Sequence, residues 1–139
     1  MIFVDTGFFF ALASEKDPDH PRVREVLRGF KGRNLSELLL TTNHVVLECI
    51  TLTRRRIGHQ AAVGMGERLL SGRLARIHQA SAKEERAAFD YLKKHRDKEY
   101  SAVDCLSFVV MDKLGISEAL AVDADFTHRF VARPGPRSA

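Results

Sequence analysis

Residues 120–126 read "LAVDADF". The apolar start looks like the end of a buried strand, and two carboxylates, Asp123 and Asp125, follow at once. The N-terminus repeats the pattern, with the apolar run "MIFV" closing on Asp5. Two more strand candidates lie between them, "LLLT" at 38–41 and the loosely alternating "RLARIHQA" at 73–80. Helical stretches fill the gaps. "TGFFFALASEKD" is broken by "DPDHP", and residues 21–31 form a basic amphipathic helix. Thr42 or Asn43 caps a helix over 43–57, and a glycine-punctuated helix covers about 59–71. Ser81 and Glu84 make a capping box that opens a helix to about Arg96. Ser101 opens the very apolar "AVDCLSFVVMDKLG", stopped by Gly115. Strands alternating with helices give an α/β fold: a parallel sheet covered on both faces.

The 139 residues, 45% of them hydrophobic, suit one domain over 1–139. Only the tail, 134–139, has the composition of a disordered segment. Cys49 and Cys105 make no disulfide framework and read as reduced thiols of a cytoplasmic protein. Scattered histidines and the lack of a Cys-x-x-Cys pair argue against zinc. "FFFALAS" lacks a preceding basic residue, so a signal peptide is disfavoured. No apolar run approaches the ~20 residues that span a bilayer, so no membrane partner is expected.

Sheets of this kind bind ligands beyond the carboxyl ends of their strands. Asp5 and Asp123 close two strands and would share a crevice if those strands are neighbours. Glu48 lies on the polar side of helix 43–57 with His44, Thr51 and Arg55, and Asp104 sits in the most apolar helix. Each acid taken singly has a plain competitor. Asp5 and Asp123 could be helix caps, Asp104 the third-position acid of Ser101's capping box, and Glu48 part of a solvated face. Taken together, four acids from four elements would repel one another unless a cation sat among them. An all-carboxylate set suits a hard ion, Mg²⁺ or Mn²⁺, which can activate water against a phosphodiester. The net charge of +4 favours polyanions, and the basic residues cluster at Arg54, Arg55 and Arg56 and along 22–33. These are expected to bind phosphates.

Four motifs in order, "IFVDTG", "TTNHVVLE", "EYSAVDCLSF" and "ALAVDADF", resemble the PIN domain, and within it the VapC-type toxin ribonucleases. The likeness runs from Ile2 to about Phe130. It implies a three-layer α/β/α sandwich with a central parallel sheet and a Mg²⁺- or Mn²⁺-dependent endoribonuclease site. It carries the family's catalytic acids onto Asp5, Glu48, Asp104 and Asp123, with Asp5, Asp104 and Asp123 as metal ligands. Thr6 and Ser101 match hydroxyl positions beside the first and third acids, and Asp125 matches an auxiliary acid. The resemblance also implies an RNA substrate, a small antitoxin protein as partner, and a homodimer. Two departures stand out: Arg129 replaces a glycine common before the aromatic near Phe130, and "RPGPRSA" leaves little room for a last strand. The rival reading is a non-catalytic RNA- or protein-binding module of the same fold. A phosphatase fits less well, since Asp5-Thr6-Gly7 lacks a second aspartate, and so does a receiver domain, which needs an early acidic pair and a lysine at a late strand end.

Overall fold

The computed structural model describes residues 1–138. Its elements run β1 (Ile2–Val4), α1 (Thr6–Ala13), α2 (His20–Arg28), α3 (Leu35–Leu38), β2 (Leu39–Thr42), α4 (Asn43–Arg56), α5 (His59–Leu70), β3 (Arg76–His78), α6 (Ala82–Lys94), α7 (Ala102–Leu114), β4 (Glu118–Ala121), a 3₁₀ turn (Asp125–His128) and β5 (Val131–Pro134). The five strands form one sheet in the order β3-β2-β1-β4-β5, and every pairing is parallel. Right-handed crossovers put the helices between β1 and β3 on one face and those between β3 and β4 on the other. The packing agrees: α1 lies against α2 and α4, α4 against α5, and α6 against α7. The expected three-layer sandwich is therefore present. No helix among the described residues is long and apolar enough to cross a membrane.

Burial follows strand position. β1 and β2 are buried at every residue, whereas β3 and β5, at the two edges, are half exposed. Beneath the centre of the sheet Phe126 stacks on Phe3 at 6.2 Å and meets Phe108 edge-on at 5.0 Å. All three rings are essentially inaccessible. Each contributes roughly 1.5–3 kcal/mol by leaving water. Phe126 thus pulls the chain back into the core just after the two aspartates of "LAVDADF".

Both anticipated capping boxes form. Glu84, buried at 4% exposure, does more than cap α6. Its carboxylate also takes His78 at 3.0 Å and Lys113 at 3.2 Å, tying β3 and α7 to α6. Burial pushes its pKa up, but the hydrogen bonds from Ser81, His78 and Lys113 outweigh that and hold it down at about 2.

The C-terminal expectation needs correction. β5 pairs with β4 as far as Ala121–Pro134, and the Gly135 N–H donates to the Ala121 carbonyl at 2.9 Å. The Arg22 guanidinium donates to the carbonyls of Pro134 at 3.2 Å and Gly135 at 2.8 Å. The Pro- and Gly-rich composition resembles disorder, but this segment's free carbonyls are good acceptors, and a proline is tolerated at the end of an edge strand. Only Ala139 of the tail lies outside the described residues. Arg129, standing in place of a glycine, pairs with Asp112 at 2.7 Å and lies over Tyr91 and Phe130.

Candidate functional site

β1 and β4 are neighbours, and their carboxyl ends carry the first and last acids. The Asp5 N–H still belongs to the sheet, donating to the Leu120 carbonyl at 3.0 Å. Its side chain does not cap α1. The carboxylate is 3% exposed, and its Oδ1 has no hydrogen-bond partner. The capping alternative therefore fails for Asp5. Close approach of the next residues keeps the crevice tight: a Cβ on Gly7 would lie 2.9 Å from Val122 Cγ2. Val122 immediately precedes Asp123, which sits at the exposed rim, where its Oδ1 accepts the Asp125 N–H at 3.1 Å.

Glu48 comes in from α4. Its Oε1 accepts a hydrogen bond from Thr6 Oγ1 at 2.6 Å, across 42 residues of sequence. Glu48 is thus fixed beside Asp5 by a hydroxyl on α1 and does not float on a solvated face. Asp104 sits in the first turn of α7. Its Oδ2 accepts from the Ser101 N–H at 3.0 Å, and its own N–H donates to Ser101 Oγ at 3.0 Å. The capping-box reading of Asp104 is correct, and it coexists with a place in the pocket.

These carboxylates feel one another's charge. Burial raises the Asp5 pKa well above the usual carboxylate range, followed by the charges of Asp104 and Asp123, with Glu48 adding a smaller push. Asp104 is raised to about 6 by burial, then by Asp125 and Asp123, against the hydrogen bonds from Ser101. Asp123 is raised by burial and by Asp125. The Cys49 thiol, beneath Thr6, is likewise pushed up by burial and by Asp5. Four acids from four elements share one field, and Asp125 belongs with them.

Such a pocket fits a hard divalent cation. The donors are all oxygens, one is buried without a partner, and their mutual repulsion calls for positive charge. Among the described residues no group of three or more His, Cys, Asp or Glu side chains is placed to hold a metal ion by itself. An open acidic cleft is what Mg²⁺ favours, since it keeps several waters and binds through one or two carboxylates plus substrate phosphate.

The basic residues divide. Arg54, Arg55 and Arg56 are all exposed on the last turn of α4, with Arg56 lying over the Phe10 ring at 5.4 Å. Arg22 and Arg28, in the basic helix, are committed to Asp19 and Glu25. One local feature escaped the sequence reading. Tyr100 OH meets His128 Nδ1 at 2.7 Å, linking the residue before Ser101 to the 3₁₀ turn that carries Asp125. The two lie 28 residues apart, and neither has a local pattern that marks the other.

Comparison with known proteins bears on this geometry. A family model described as PIN domain matches residues 2–129. VapC20 of Mycobacterium tuberculosis, a 23S rRNA-specific endonuclease found in two strains, is 39% identical over 127 residues, covering 91% of this chain and 92% of its own length. The crystal structure of the M. tuberculosis VapC20, a sarcin–ricin-loop-cleaving toxin, matches with a TM-score of 0.82 and 38% identity, over 92% of this chain and 94% of that one. FitAcB from Neisseria gonorrhoeae matches with a TM-score of 0.64 over 96% and 98% of the two chains. At 19% identity that likeness concerns the fold alone.

Proposed function

The chain belongs to the PIN-domain family, in its VapC-type branch, and from that premise we propose that it is a metal-dependent endoribonuclease acting as the toxin of a toxin–antitoxin pair. The observation that carries the chemistry is the buried Asp5 carboxylate at the β1–β4 edge, whose Oδ1 has no partner and which lies within the field of Asp104, Asp123 and Glu48.

Asp5, Asp104 and Asp123 would hold Mg²⁺ or Mn²⁺. Bound there, the ion lowers the pKa of a water and neutralises charge on the phosphodiester oxygens. The chain's residues do the positioning. Ser101 holds one oxygen of Asp104 and leaves the other free for the pocket. Thr6 fixes one oxygen of Glu48 and leaves the second to orient the attacking water. Asp125 fastens the Asp123 side chain through its backbone N–H and deepens the negative potential. The sequence offers no Ser-His-Asp or Cys-His nucleophile, and Cys49 and Cys105 are both buried, so water is the nucleophile. Exposed basic side chains near the site supply the phosphate contacts, which makes binding salt-dependent.

The VapC-type resemblance supports a small antitoxin as partner, a homodimer as the working unit and the cytoplasm as its location. The 23S rRNA specificity of VapC20 makes ribosomal RNA the first substrate class to test. The non-catalytic alternative draws on one observation, the lack of a finished ligand cage among the described residues. A single experiment separates the two. The wild-type chain with Mn²⁺ should cut RNA, and Asp5→Asn should lose at least a hundredfold in rate. Equal cleavage by the two proteins would overturn the assignment, and the absence of both cleavage and Mn²⁺-induced stabilisation would favour the binding module.

A further inference from the structure

A cleft of about 610 Å³ lies along α4, with Glu48 in its lining. Thr6 and Glu48 line its inner end, and Thr51 and Arg55 line its course. Positions 44, 48, 51 and 55 recur at helical spacing, so they form one stripe down the helix. At 1.5 Å of rise per residue, Glu48 and Arg55 are separated by about 10 Å along the axis. Leu47, 62% exposed, and Val103 give the cleft an aliphatic wall. His44 stands at the near rim, held by Glu85 at 2.8 Å.

We propose that this cleft is the groove in which single-stranded RNA leaves the scissile phosphodiester, and that Arg55 is the one member of the arginine triplet that grips its backbone phosphate. The inference rests on the ribonuclease reading and adds a direction and a residue to it. The three arginines are not equivalent. Arg55 alone among them borders the cleft that begins at Glu48. Arg54 lines a separate groove between α4 and α5, which Arg55 also reaches. Arg56 is drawn over Phe10.

Electrostatics set the direction. On the opposite side of the pocket the chain presents Asp123 and Asp125, and the cation beyond them, Arg129, is already taken by Asp112 at 2.9 and 2.7 Å. A polyanion is repelled there. Over α4 it meets Arg55, with Glu48 as the single acid of that helix and Glu85 of α6 engaged by His44. The aliphatic wall gives a base an apolar face to rest on, while Thr51 offers a hydroxyl to the sugar–phosphate chain. An acidic protein segment could exploit the same arginine. RNA is favoured because Thr6 and Glu48, the side chains that flank the chemistry, line the same cleft as Arg55.

The test uses the full chain carrying Asp5→Asn, so that RNA binds without being cut, and a fluorescein-labelled single-stranded RNA read by anisotropy across a salt series. Arg55→Ala should weaken binding about tenfold and reduce the slope of log K against log salt by about 0.7, the loss of one phosphate contact. Arg54→Ala and Arg56→Ala should stay within about twofold of the parent. With Asp5 restored, Arg55→Ala should raise KM and leave kcat unchanged. Arg55→Lys should recover most of the salt slope, and it stands in if Arg55→Ala melts early. Equal losses at all three arginines would mean a diffuse basic surface and would overturn the inference. So would unchanged RNA binding by Arg55→Ala, which would leave the groove to an acidic protein partner. A wild-type chain that neither binds nor cuts RNA would instead refute the ribonuclease reading itself.

Discussion

Replacing Asp5 by asparagine should abolish cleavage and, in the absence of metal, make the protein more stable. The wild-type carboxylate is 3% exposed, its Oδ1 has no partner, and Asp104, Asp123 and Glu48 all disfavour its charge. Leaving a buried polar group unsatisfied costs about 1–3 kcal/mol, and more when it is charged. Asparagine keeps the shape and removes the charge, so a gain of about 1–3 kcal/mol is expected near pH 8. For a chain of this length that corresponds to a rise in Tm of roughly 3–10 °C. The pH dependence follows from the raised carboxyls. Asp104, at about 6 when folded against 3.8 as reference, contributes stability that is fully present below pH 3.8 and lost as pH rises through about 6. Asp5, also raised, acts with the same sign. Metal-free wild type should therefore gain stability from pH 8 down to pH 5, and Asp5→Asn should gain less. Saturating Mn²⁺ should invert the order, adding about 2.7 kcal/mol to wild type at a hundredfold excess over Kd and little to the variant. Thermal melts in chelator and in Mn²⁺ at several pH values decide the matter. An Asp5→Asn protein that melts at or below wild type throughout the chelator series would refute the claim that this carboxylate is buried at a cost.

Two other perturbations probe the frame around the site. Glu84, held down at about 2 against a reference of 4.5, contributes stability that is present above pH 4.5 and lost as pH falls through about 2. Glu84→Gln should flatten that acid limb and lower stability near pH 7 by up to about 3 kcal/mol, less what solvent screens at the exposed Lys113 end; urea titrations at pH 7 and pH 3 measure both effects. Gly7→Ala sets a methyl 2.9 Å from Val122 Cγ2 and should cost about 1–3 kcal/mol while weakening Mn²⁺ binding, as read by calorimetry.

Much of this arrangement was legible in the sequence because its signals are local. Ser81 with Glu84, and Ser101 with Asp104, sit three residues apart and announce the starts of α6 and α7. The aspartates at 5 and 123 follow apolar runs that read as buried strands. What stayed hidden depends on contacts between distant residues. The Thr6–Glu48 hydrogen bond spans 42 positions, so helical periodicity alone offers Glu48 only its neighbours on the polar face, His44 or Thr51, as partners. β5 alternates exposed and half-buried residues and ends in proline, which gives an edge strand almost no hydrophobic signature. The short helix α3 rests on Asn34 accepting from the Ser36 N–H, a cap too brief to stand out from a turn.

The link from β4 to β5 has a mechanical consequence. Most surface connections absorb extra residues cheaply, because closing a longer loop costs little entropy. This one joins two parallel neighbours through residues 122–130 alone, anchors itself on Phe126 and carries both Asp123 and Asp125. It behaves as a taut bridge, and a single inserted residue would slide the acids out of alignment with those across the crevice. This stretch should therefore tolerate changes of side chain far better than changes of length.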